Sequence, residues 1–373
     1  MSLLLILGII LFIGLVIVHE LGHFLVARRY GVEVEEFGLG FPPKAKSLGF
    51  KNGTEYTLNW LPLGGFVRLK GEHDSAKGKG AYGSASLPNK MKIMVAGVAM
   101  NLLTAFFILT ALSWIGTPQL VENQFNVQGD SRVVRRDVLV AYVEPDSPAE
   151  IAGLKIRDQL TSIGTVEQGQ STIQSQEQLP DITKKYAGKT VIVQFRRQGI
   201  KELQKTELTL LSQGEIDTSN SQKGYLGIAP NEYVLKRSTW SAPINAIGTI
   251  GQFTSLTLKG LGKALSSLVS GNASQASEQV AGPVGIFVLI SDGTGLGIEF
   301  ILMIIAIISL TLAIMNVLPI PALDGGRLFV TLIFRVIKKP LKVGVEDRIH
   351  GTGFAILMLL FVVITFVDIR RFW

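Results

Sequence analysis

Residues His19-Glu20-Leu21-Gly22-His23 lie inside a stretch, Met1 to Ala27, that holds no other ionisable side chain. The stretch is long enough to cross a bilayer, which takes about 20 apolar residues. Ionisable groups are costly in hydrocarbon, so a cluster of them at that depth points to function. On a helix, positions 19 and 23 share one face, and both imidazoles can offer a nitrogen to one cation. Glu20, one step round, can take a proton from water held at such a cation. The alternative is a pair of satisfied core histidines, which the membrane setting disfavours.

The rest of the chain is read around this segment. Of its 373 residues 47% are hydrophobic, and four windows are apolar enough to span: Leu3–Ala27, Ile93–Ile115, Phe300–Leu318 and the shorter Phe354–Val367. Arg28 and Arg29 follow the first window rather than precede it, which argues for a retained span over a cleaved signal peptide. The loop from Arg28 to Lys92 is rich in lysine and arginine, as is the loop from Arg327 to Arg348. Both therefore face the cytoplasm, and the long stretch between spans two and three lies outside. These loops account for the net charge of +7. No basic stretch carries interleaved aromatics, so no nucleic-acid partner is expected. The chain has no cysteine, which excludes disulfides and thiolate ligands.

A catalytic zinc takes three protein ligands and keeps one position open. Only four histidines exist: His19, His23, His73 and His350. His73 lies in the polar run Lys70-Gly71-Glu72-His73-Asp74, which reads as a solvated loop, and His350 reads as interfacial. Asp324, in Asn316-Val-Leu-Pro-Ile-Pro-Ala-Leu-Asp324-Gly325-Gly326, is the better candidate. Pro319 and Pro321 must interrupt the third span, and broken backbone at membrane depth survives only inside protein or against a water-filled cavity. His19 is sixteen residues after Leu3 and Asn316 sixteen after Phe300, so the two sit level, and an unwound stretch can hold Asp324 near them. An ordinary Pro/Gly turn after a helix end is the competing reading.

Together these residues resemble the bacterial site-2 proteases, the intramembrane zinc metalloproteases of the regulator-of-sigma-E type. The resemblance rests on His19-Glu20-x-x-His23, Pro62-Leu63-Gly64-Gly65-Phe66-Val67, Gly282-Pro283-Val284-Gly285 and Asn316-x-x-Pro319-x-Pro321-x-Leu323-Asp324-Gly325, and it runs over nearly the whole chain. It implies His19, His23 and Asp324 as Zn2+ ligands, Glu20 as the base, and Asn316 as a group holding substrate or the developing oxyanion. Gly64, Gly65, Phe66 and Val67 are then part of membrane-dipping β-structure that binds substrate, and Asn101 is a further substrate contact. Two positions depart from the family pattern: Val98 stands where proline is usual and Thr311 where asparagine is frequent. The implied substrates are single-span membrane proteins, such as an anti-sigma factor or a remnant signal peptide, cut in the bacterial inner membrane. The competing functions are a non-catalytic membrane scaffold and a metal transporter.

Between the spans, β-rich runs at Val138–Val143, Leu160–Ile163, Val191–Phe195 and Glu207–Leu211 alternate with helical signals at Ser147–Ala152 and Gln174–Tyr186. Val143–Gly164 resembles part of a PDZ domain, which takes peptides along a sheet edge or filters bulky substrates, the role the family favours. Tyr225-Leu226-Gly227-Ile228 resembles a carboxylate-cradling loop, although a plain strand is the simpler reading. Trp240–Leu268 reads as surface-lying amphipathic helices, and Ser270–Gln279 as a polar loop. The expected fold is thus a polytopic α-helical membrane protein with about four transmembrane helices, a membrane-associated β-hairpin or sheet, and one extracytoplasmic PDZ (α+β) domain. Its expected divisions are 1–116 with the first two spans, 125–215 as the PDZ domain, 216–296 as an amphipathic clamp, and 297–373 with the last two spans.

Overall fold

In the computed structural model each apolar window forms the body of one continuous helix; the structure describes residues 3–200, 202–218, 224–272 and 281–372. Helix α1 (Leu3–Arg29) is followed by β1 (Val34–Lys51), β2 (Thr54–Leu69) and α2 (Leu87–Ile115). Then come β3 (Thr117–Pro118), β4 (Arg132–Val143), α3 (Pro148–Ile151), β5 (Gln159–Thr165), β6 (Gly169–Thr172), α4 (Leu179–Lys185), β7 (Thr190–Arg196), β8 (Gln204–Thr209), α5 (Gln213–Thr218) and β9 (Ile228–Arg237). The chain continues as α6 (Ala242–Val269), α7 (Pro283–Gly293), α8 (Ile298–Val317), α9 (Asp324–Val336) and α10 (Val343–Phe372). Helices α1, α2, α8 and α10 are long and apolar enough to cross a membrane. The contacts divide the chain into two compact units, Met1–Leu112 with Ser241–Trp373, and Ser113–Trp240.

In the first unit, α1 packs against β1, β2 and α8. Strands β1 and β2 both bend, so two strands make four antiparallel segments. Residues 34–39 pair on one side with 65–69 and on the other with 55–58, and 44–51 pair with 54–59. Segment 65–69 is therefore an edge, with a described partner on one side only. Glu36 is buried inside this sheet, where it accepts from Thr57 Oγ1 at 2.6 Å and pairs with Arg68 Nη2 at 2.7 Å. A buried carboxylate needs such partners, and they pin the pairing of three segments.

The loop after β2 is anchored to α9 and α10. Glu72 pairs with Arg327, His73 Nε2 lies 2.8 Å from Asp347 Oδ1, and the backbone N–H of Asp74 donates to Glu346 Oε2 at 3.0 Å. Lys90 is completely buried, and its ammonium donates to Asp74 Oδ1 at 2.6 Å and to the carbonyl of Gly83 at 2.9 Å. His73 is thus hydrogen-bonded to Asp347 rather than merely solvated.

Two expectations need correction here. The fourth span is longer than its apolar window: α10 begins at Val343, because Glu346, Asp347, Arg348 and His350 make residues 343–353 too polar for a hydropathy reading, yet no proline interrupts the helix there. Trp240–Leu268 forms one helix, α6, rather than several, so Gly248, Gly251, Gly260 and Gly262 are accommodated within it; α6 packs against α8. Of the expected loop Ser270–Gln279, residues 273–279 lie outside the described residues.

Gly282-Pro283-Val284-Gly285 opens α7, and its purpose is visible in the packing. The N–H of Gly285 donates to Asp368 Oδ2 of α10 at 2.7 Å, and Asp368 is only 2% exposed. A Cβ at Gly282 would lie 2.8 Å from that same oxygen, so the bare backbone lets a carboxylate cap the helix start. Asp368→Ala is expected to strand a buried donor and cost about 1–3 kcal/mol. Thermal unfolding in detergent would read this as a lower midpoint, with Asp368→Asn losing less. An unchanged midpoint for the alanine variant would show that the cap carries no energy.

The second unit is an antiparallel sheet in the order β3-β9-β4-β5-β7-β8, with β6 paired to β5. Its core gathers Val138, Leu160, Ile163, Tyr186, Val191 and Val193. The Asp146-Ser147-Pro148 signal does start a helix: Ser147 Oγ accepts from Glu150 N at 3.2 Å, and Pro148 occupies the first turn of α3, as fixed φ and a missing donor allow there. Because β9 sits between β3 and β4, the unit runs over Ser113–Trp240 and is wider than the expected 125–215. Tyr225–Gly227 is a turn and not a strand, with Gly227 at φ +76° and β9 starting at Ile228.

Candidate metal centre

His19 and His23 are both buried, on the face of α1 that meets α2. Their rings stand edge to face with centroids 4.9 Å apart. The third group arrives from the far end of the sequence. Helix α8 stops at Val317, where Pro319 and Pro321 deny it further amide donors, and the chain turns through residues 318–323. Ala322 adopts φ +80° within that turn. Asp324 then opens α9, so it lies at the start of a helix and not in unwound chain as expected; the helix N-terminus favours its negative charge.

Asp324 Oδ2 lies 3.1 Å from His19 Nε2 and 3.0 Å from His23 Nε2, and the two Nε2 atoms are 3.3 Å apart. Among the described residues this is the one group of three such side chains whose ligand atoms all lie within 4.8 Å of one another. His73 and His350 are not in it.

The supporting contacts favour a cation. His23 Nδ1 donates to the carbonyl of Ile93 at 2.7 Å, which leaves Nε2 of the neutral ring as a lone pair facing the carboxylate. His19 Nδ1 lies 3.3 Å from the side-chain amide of Asn101, whose Oδ1 is buried without a partner as oriented. With the amide turned so that Oδ1 accepts the His19 Nδ1 proton, that oxygen is satisfied and Nε2 again presents a lone pair. Three lone pairs then converge where one positive ion would hold them. The second helix leaves room for it: a Cβ at Gly97 would lie 2.5 Å from His23 Nε2 and 2.7 Å from His19 Nε2. The donor set, two imidazoles and a carboxylate, suits zinc.

Glu20 is half-buried beside this cluster, and its carboxylate makes no hydrogen bond or ion pair among the described residues. Gly65, on the edge segment of β2, is the neighbour that approaches it: a Cβ there would lie 3.4 Å from Glu20 Cγ. Gly64, at φ +93°, packs under the ring of Phe41, Phe66 covers Gly38, and Val67 packs into the cluster around Phe24 and Phe37. Asn316 points its Nδ2 back to the carbonyl of Leu312 at 3.0 Å.

The model of peptidase family M50 matches residues 7–360. The chain belongs to peptidase family M50. A Clostridium perfringens protein bearing the name of a zinc metalloprotease is 30% identical over 97% of both chains. Zinc metalloprotease RasP of Shouchella clausii is 27% identical, covering 97% of this chain and 98% of its own. The Enterococcus faecalis protein eep, named as a protease, is 26% identical over 98% of each. This M50 peptidase is a zinc metalloprotease and a membrane protein of the site-2 protease family.

Three further residues support this M50 site in ways that could not be read from the sequence. Asn101, expected as a substrate contact, is 0% exposed and serves His19, and its own carbonyl accepts from Ser309 Oγ of α8 at 2.8 Å. Gly97 is a spacing residue, and a glycine four before an asparagine was the only signal for it. His350 Nδ1 accepts the N–H of Ala322 at 3.2 Å and so holds the turn that carries Asp324; nothing in the sequence announces that contact.

Proposed function

We propose that this M50 peptidase hydrolyses peptide bonds within or beside a substrate's transmembrane helix, with His19, His23 and Asp324 as the zinc ligands and Glu20 as the base. The observation that carries this reading is the convergence of those three ligand atoms next to a glutamate without an ion pair among the described residues, with both histidines on a helix long enough to span a bilayer. Zinc, when bound, polarises a carbonyl and makes water more acidic. Glu20 takes the proton of the attacking water and returns one to the leaving amine. A helical substrate has its carbonyls paired, so it must unwind before attack. The edge segment at Gly64–Val67 runs past Glu20 and offers its open side to an extended chain, replacing the hydrogen bonds lost on unwinding. Asn316 donates to substrate or to the oxyanion once its amide leaves Leu312. Asn101 acts one step back, fixing the tautomer of His19.

The second unit is a PDZ domain on the extracytoplasmic side of a bacterial inner membrane, where it contacts or filters substrates. Its mixed β and α composition, with helix α3 capped by Ser147, supports this assignment. The substrates are single-span proteins, an anti-sigma factor or a signal-peptide remnant.

Purified protein in detergent is expected to cut a single-span reporter, to lose that activity when a chelator strips its zinc, and to regain it on adding one equivalent of zinc. Cleavage that survives complete metal removal would overturn the assignment of the site.

A further inference from the structure

A polar cleft elsewhere in the first unit includes none of the metal ligands in its lining. It has a volume of about 500 Å³ and is walled by the loop after β2 and by the end of α9. Lys77, Arg335, Lys338 and Lys339 line it, together with Ser84 and the apolar Phe334. One acid, Asp74, sits at its base, and that charge is already matched by the buried Lys90 at 2.6 Å and by Arg335 at 3.6 Å. Lys77, Lys338 and Lys339 have no ion pair among the described residues. The cleft is therefore strongly cationic, and its cations are held by a fixed turn. Lys338 takes φ +54°, and its N–H and that of Lys339 return to the carbonyls of Arg335 and Phe334.

Its depth can be read from the helices. Arg29 lies ten residues past His19 on α1, and Val343 lies ten before Gly353 on α10. Gly353 packs directly on Pro321, just ahead of Asp324. At 1.5 Å per residue, Arg29 and Val343 are each about 15 Å along their helices from the level of the ligands; with His19 about 24 Å from the start of α1, both lie just past the inner edge of a hydrocarbon core about 30 Å thick. The cleft, at residues 334–341, is thus level with the end of the first span. On the ligand side of it, α9 exposes Phe329, Ile333 and Val336, an apolar face suited to acyl chains beside a cationic tip.

We propose that this cleft binds the phosphate headgroup of an anionic phospholipid at the membrane boundary, with Lys338, Lys339, Arg335 and Lys77 as its cationic walls and the exposed face of α9 along the acyl chains. Cationic residues at the boundary each favour an anionic lipid, and a walled cleft adds retention of one molecule. The site is independent of the peptidase chemistry, since none of its residues is a ligand or the base.

The test is native mass spectrometry of the full-length protein in detergent with added phosphatidylglycerol or phosphatidylcholine. Wild type is expected to retain one phosphatidylglycerol that phosphatidylcholine does not displace. Lys338→Gln with Lys339→Gln should weaken that binding about tenfold or more, while Lys184→Gln with Lys185→Gln, the same charge change elsewhere, leaves it intact. Equal retention by both double variants, or equal retention of phosphatidylcholine, overturns the proposal. Inorganic phosphate supplies the remaining arm: if it displaces the lipid at millimolar concentration and binds alone with the same sensitivity to Lys338 and Lys339, the cleft is a free-phosphate site and the lipid assignment is wrong.

Discussion

Glu20→Gln is expected to leave about one zinc per chain in place while cutting the turnover of a single-span reporter by about a thousandfold or more. The substitution keeps the size of the side chain, and its neighbour Gly65 needs no adjustment to hold it. What disappears is the basic oxygen. Glutamate contributes nothing to the ligand cluster, whose atoms come from His19, His23 and Asp324, so metal content should be indifferent to the change. Zinc by elemental mass spectrometry and initial rates on the same preparation separate the two effects. Near-normal turnover would remove Glu20 from the chemistry and send the search for the base elsewhere. Loss of zinc alongside activity would mean that the carboxylate holds the metal.

Gly97→Ala should do the opposite, losing metal first and activity as a consequence. The added methyl would stand 2.5 Å from His23 Nε2 and 2.6 Å from His19 Cε1, in the space where the ligand atoms converge. Alanine is otherwise the more favourable helix residue, so α2 itself gains nothing to explain a loss. The expected result is a folded protein with a near-normal melting profile in detergent, zinc content reduced about tenfold or more, and cleavage reduced in proportion. Full zinc occupancy in Gly97→Ala would mean that α2 moves away from α1 more easily than the packing of Gly22 against Ala96 indicates.

Much of this site was legible in the chain. The histidine spacing names its own geometry, since a helix leaves positions 19 and 23 no choice of face. The pair Pro319 and Pro321 fixed the end of α8, because the missing donors act wherever they fall. What could not be read were contacts between residues far apart in sequence. Asp324 could be placed at the right depth but not at a helix start, because nothing local distinguishes the first residue of α9 from the last of a turn. Asn101 was expected as a substrate contact from the family resemblance alone; whether such a residue touches substrate or a ligand depends on which helix lies beside it. Helix α10 also continues past the end of its apolar window, for a related reason. Asp368 lowers the apolar score of its window, yet it is buried because Gly285 gives it a partner. In the second unit, β9 was missed as part of the sheet because it joins by pairing with β4, a partner that local pattern does not reveal.

His23 and Asp324 meet across a separation of 301 residues, and that distance has a meaning in time. At ribosomal rates of roughly 5–20 residues per second, the two are made roughly 15–60 s apart. Through that interval the first helix is already in the membrane with its histidine pair and its glutamate, but the acid that completes the ligand set has not been synthesised. On the proposed ligand set, a nascent chain is therefore expected to be inactive until Asp324 has been made and has folded back onto the histidine pair.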